Sequence, residues 1–200
     1  MSAFLGPIHY WLYNKIRFQE DLSKSILDCA EKNDWDMNGT LTKKYASPDM
    51  KPLEELIDLA NIHGWLQERI KAAEERYARL VTDILSADSS RISEIEKTAF
   101  DFGSKNPAAE SDTASDIYRK FDDTLLNGMP CDRVNSVTSQ DSTCYTWQQC
   151  QDIHGSYWVD AGGDPANYYR LRLKVMEGML KNSKMKVTAS DFNHYQLSIK

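Results

Sequence analysis

The sequence predicts an all-α protein: a helical bundle of five or six helices, with an antiparallel four-helix core and additional short helices. Three observations predict it. Core-facing residues recur at threes and fours over long stretches, as in Leu53, Ile57, Ala60, His63, Ile70, Tyr77, Val81 and Ile84. Prolines stand where first turns begin, at Pro7, Pro52 and Pro165, and glycines where last turns end, at Gly103, Gly128 and Gly162. Strand-like alternation is nearly absent.

The first helix is expected from Gly6-Pro7 to about Asn33, with Ile8, Leu12, Ile16, Leu22 and Ile26 as its core stripe. Residues 34–51, with Asn-Gly and Ser-Pro breakers, form a long connection that Trp35 and Tyr45 would pack. The longest helix follows from Pro52 to about Ala87, its acids Glu54 and Glu55 placed where the helix dipole favours them. A shorter helix is capped near Ser89 or Ser90 and closed by Gly103, and another runs from about Ser115 to Asn127. Residues 129–142 look like an ordered loop, and Thr143–Ala161 carries a helical pattern. Asp164-Pro165 caps a last helix to about Lys181, and the tail 182–200 resists assignment.

A chain of 200 residues suffices for one buried domain, and no linker divides it, so a single domain over 1–200 is expected. The net charge of −6, with acids and bases mixed along the helices, speaks against nucleic acid as a partner. The opening residues lack the basic and apolar regions of a signal peptide, and no apolar run is long enough to span a membrane. The expectation is a cytoplasmic protein with no membrane partner, its Cys29, Cys131, Cys144 and Cys150 reduced. A small molecule fits as a partner, and so does a homo-oligomer, since bundles dimerise through helix faces.

One pattern occurs twice. Ile-His-x-Trp-Leu-x-x-x-Ile-basic-x-x-Glu is written at residues 8–20 and again at 62–74. On a helix each His sits at the edge of its apolar stripe, and the Glu eleven residues on returns to the same face, roughly 16 Å along the axis. If the two helices lie antiparallel, His9 stands level with Glu74 and Glu20 with His63. Such couples would orient metal ligands or tune a general base. They could equally be satisfied buried pairs that fix helix register.

A third Ile-His ends in His154, with Cys150 four residues before it on the same expected helix face, a spacing that could bind one metal ion. His9, His63 and His154 on three helices, joined by Cys150 and by Cys131 or Asp132 of the preceding loop, would make a divalent metal site for zinc or iron. Glu20 and Glu74 would act beside it in a cavity lined by Trp11, Trp65, Tyr157 and Trp158. The function so implied is a metal-dependent hydrolase or transferase of small molecules. Neither Glu-x-x-His nor His-x-x-x-His occurs, which removes the di-iron carboxylate motif. Two alternatives stand beside it. One is a non-enzymatic bundle that binds a partner or ligand and whose His–Glu pairs are structural. The other is a thiol enzyme with Cys131 as nucleophile, Arg133 lowering its pKa and His154 as base.

Overall fold

The computed structural model describes residues 4–48 and 50–200. Residues 1–3 and 49, which belong to the opening stretch and the long connection above, lie outside the described residues. The architecture corrects the all-α expectation. Helices α1 (Pro7–Lys32), α2 (Thr40–Tyr45), α3 (Leu53–Leu56), α4 (Ile62–Ala87), α5 (Ile92–Gly103), α6 (Ala114–Thr124), α7 (Gly155–Asp160) and α8 (Ala166–Met179) pack with a four-stranded sheet. Its strands are β1 (Asn135–Gln140), β2 (Cys144–Gln149), β3 (Met185–Ala189) and β4 (His194–Ile199), all antiparallel in the order β1-β2-β4-β3. No helix among the described residues is long and apolar enough to cross a membrane.

The expected antiparallel core is also overturned, because α1 and α4 run parallel. His9 meets His63 with ring centroids 5.8 Å apart, Tyr13 meets Trp65 at 6.1 Å, and Glu20 pairs with Arg76, so contacts advance along both helices in the same direction. At 26 residues each, they run side by side for about 39 Å. The connection must therefore travel back along them. Tyr45 and Lys44 bond Asp83 near the far end of α4, Ser47 Oγ donates to the Glu20 carbonyl midway, and Tyr10 reaches Glu54 near the start. The duplicated pattern thus packs against its own copy in register. Ile8, expected in the core stripe, is 48% exposed, and His63 is exposed as well.

The helix expected from Pro52 breaks after one turn. Ile57 is extended and buried in the core, Asp58 Oδ1 accepts the Ala60 N–H, and Asn61 caps α4 by accepting from the Gly64 N–H. A second correction falls on 143–161, where a helix was expected and β2, a turn and α7 are found. Tyr145, Trp147 and Gln149 point inward while Cys144, Thr146 and Gln148 do not, a period of two that suits β-favouring Thr, Tyr and Trp. The loop expected at 129–142 contains the edge strand β1, and the tail folds into the β3–β4 hairpin.

The sheet's inner face packs on α6 and α8. Tyr118 of α6 stacks on Tyr145 at 4.3 Å, and Trp147 stacks on its cross-strand partner Tyr195 at 5.2 Å. Helices α5 and α8 cross at two glycines: a Cβ on Gly103 would stand 2.1 Å from the Val175 carbonyl oxygen, and one on Gly178 2.0 Å from that of Phe100. Packing this close fixes α8 against the rest of the molecule.

Candidate functional site

The residues singled out by sequence go to separate places. His9 closes the first turn of α1, its Nδ1 accepting from the Gly6 N–H at 2.9 Å, with His63 beside it. His154 instead keeps company with Glu74, Asn127 and Tyr168, so the three imidazoles are not grouped around one point. Glu20 pairs with Arg76, which opposes the upward pull of burial on its carboxyl group. Cys150 and Cys131 are exposed free thiols on turns, because the helix expected to carry Cys150 is a strand end. Asp132 caps its own turn, its Oδ2 accepting the Met129 N–H at 2.7 Å. Among the described residues no group of three or more His, Cys, Asp and Glu is arranged to hold a metal ion. The four aromatic candidates also part: Trp65 lies against Tyr13, Trp158 is buried edge-on to Tyr77, Tyr157 is half-buried, and Trp11 lines a cleft with Lys15.

A buried His–carboxylate couple, unlike the exposed His194–Asp191 pair, lies at the centre of a buried chain. Glu74 Oε1 and His154 Nδ1 are 3.0 Å apart, and His154 Nε2 is 3.0 Å from the Tyr168 hydroxyl and 3.2 Å from Asn127 Oδ1. The carboxylate holds a proton on Nδ1. Arg172 has only donors, and its Nη1 bonds the Tyr168 oxygen at 2.9 Å and the Leu126 carbonyl at 3.0 Å. Tyr168 therefore keeps its own O–H for His154 Nε2, and burial raises this phenol well above its ordinary value, so it stays protonated. Glu74 and His154 are 1% exposed and Tyr168 is 1% exposed. No substrate reaches them. The chain joins α4, α7 and α8 and ends at the half-buried Arg172.

Asn127 borders a cleft of about 320 Å³ between α1, α6 and the 127–135 segment. Trp11 and Lys15 form one wall, Tyr118 and Asp122 another, and Asn127 to Pro130 with Arg133 to Asn135 the third. At its inner end a water-sized recess of about 10 Å³ is bounded by Tyr118, Asp122, Asn135 and Arg172. Lys15 is the anomaly of this wall. It is 2% exposed, its ammonium sits 3.8 Å from the centre of the Trp11 ring, and it makes no hydrogen bond or ion pair among the described residues. Burial lowers it to about 8, Asp122 and Asp123 pull it back up, and Arg172 adds to the lowering. It thus remains charged at neutral pH.

Sequence reasoning passed over Lys15, Asp122 and Arg172. Lys15 did carry a signal, since it stands three residues after Leu12 and beside Ile16, a charge within an apolar stripe. Asp122 and Arg172 carried none, because only the packing of α6 and α8 brings them to α1. Comparison with known proteins brings no match: no family model fits the chain, and no curated protein or solved structure is significantly similar to it.

Proposed function

We propose that this protein binds a small anionic molecule in the cleft between α1, α6 and residues 127–135. The observation that carries this is Lys15, a side chain 2% exposed whose ammonium faces the cleft with no carboxylate or carbonyl among the described residues to pair with. Burying a charge is costly unless it is paired, and the ring of Trp11 offsets only part of that cost. An incoming carboxylate or phosphate supplies the missing partner. The guanidinium of Arg172 at the inner end, positioned by Tyr168 and Leu126, adds a second positive charge. In this reading Glu74 and His154 are a structural couple that, through Tyr168, holds Arg172 in place, and the cleft's Trp11 and Tyr118 take the apolar part of the ligand.

The test is thermal unfolding of the full chain with inorganic phosphate, acetate, benzoate and 3-phenylpropionate, for the natural protein and Lys15→Met. At pH 7 an organic anion raises the midpoint of the natural protein, and Lys15→Met abolishes the rise while its midpoint without ligand is kept. A variant that responds as the natural protein does, or a natural protein that responds to no anion, would refute the proposal.

A further inference from the structure

Among the described residues, Asp122 is the unpaired acid of the same cleft, where Lys15 and Arg133 are the unpaired bases. It lines both the outer cleft and the inner recess, and makes no hydrogen bond or ion pair among the described residues. Its neighbour Asp123 is occupied, accepting the Trp11 Nε1–H at 2.9 Å, a bond that also ties α6 to α1. Asp122 and Lys15 feel each other's charge, since the carboxylate raises the lysine's pKa, yet they stay out of contact on two packed helices. Opposite charges on flexible side chains ordinarily close on each other when nothing stands between them.

We infer that the cleft takes a zwitterion of the α-amino acid kind, its carboxylate on Lys15, its ammonium on Asp122 and an apolar side chain between Trp11, Tyr118, Met129 and Val134. The inference rests on the anion-binding reading and adds the cationic pole. A ligand with both charges pairs both wall groups at once, whereas a simple anion satisfies Lys15 and is repelled by Asp122. Charge-assisted bonds at both ends would also fix the ligand's direction in the cleft.

Calorimetric titration of the full chain with three matched probes decides the matter: phenylalanine, 3-phenylpropionate, which lacks the amine, and 2-phenylethylamine, which lacks the carboxylate. Phenylalanine should bind the natural protein at least about tenfold more tightly than either probe. Asp122→Asn should remove that advantage and leave 3-phenylpropionate bound as well as before or better. If 3-phenylpropionate binds the natural protein as tightly as phenylalanine, the zwitterion is overturned while the anion reading stands. If 2-phenylethylamine alone binds, the cleft is a cation site and both readings fall, as they do if none of the three binds. Should Asp122→Asn fail to fold, the comparison of probes on the natural protein still decides.

Discussion

Lys15 shows how one residue can be costly to the fold and useful to a site. Its amine is held at about 8 in the folded chain, against about 10.4 for a free lysine, chiefly by burial. Below pH 8 both folded and unfolded chains carry the proton, and the full cost of burying the charge is present. Between about 8 and 10.4 the folded chain has lost the proton that the unfolded chain still binds, so this group's contribution to stability rises with pH, by about 3 kcal/mol in all. Urea unfolding at pH 7 and pH 10 should show that gain against Lys15→Met, in which it vanishes. The variant should equal or exceed the natural protein in stability at pH 7, since an apolar chain of similar volume replaces an unpaired buried charge. Anion binding has the opposite slope, weakening as pH passes 8 and the ammonium disappears. A lysine whose replacement destabilises the fold at pH 7 would be a structural residue instead.

At the scale of elements, what could be read from sequence followed from local chemistry. The first helix, expected to Asn33, ends at Lys32, and Gly103 closes α5 as its position suggests. Helix α6 begins with Thr113 and Asp116 capping each other, the local signal that sequence reading relies on. The strands failed for different reasons. In β2 the alternating Tyr145, Trp147 and Gln149 coincide with a second set, Trp147, Cys150, His154 and Trp158, spaced as on a helix, and the short run does not decide between them. Strand β1 has no inward face at all, being exposed over Ser136–Gln140, and exists through its bonds to β2. The parallel course of α1 and α4 was hidden because the connection between them returns along both. Close crossing of α5 and α8 is equally silent in sequence, yet it sets a sharp expectation. A methyl group at Gly178 would meet the Phe100 carbonyl and the Ser104 amide nitrogen, backbone atoms with no rotamer to yield, so Gly178→Ala should cost about 3 kcal/mol despite alanine's better helix propensity. Chemical denaturation measures this directly, and a stabilised variant would mean that the helices separate at little cost.

For the molecule as a whole, the question is whether its two apolar clusters behave as one. The smaller gathers Leu12, Tyr13, Ile16, Leu53, Leu66 and Ile70, and the larger spans the rest of the helices and the sheet. Both α1 and α4 run through the two: Leu12 and Ile16 lie in one and Leu22 and Ile26 in the other, and likewise Leu66 and Ile70 against Tyr77 and Val81. Helices that continue unbroken cannot lose one half without fraying the other, and the sheet is locked in by β4, the last strand, between β2 and β3. A single transition is therefore expected. Trp65 reports on the smaller cluster and Trp147 on the larger, so chains keeping only one of them as a reporter should unfold at the same midpoint by fluorescence. Two separated midpoints would show two independently folding parts. The cleft sharpens the test, because its Trp11 and Lys15 stand on the side of the smaller cluster and its Tyr118 and Asn135 on the side of the larger. A ligand at one hundred times its Kd adds about 2.7 kcal/mol to whatever unit it holds together. If the chain unfolds as one unit, both reporters shift upward by the same amount with ligand, and Lys15→Met leaves both unmoved.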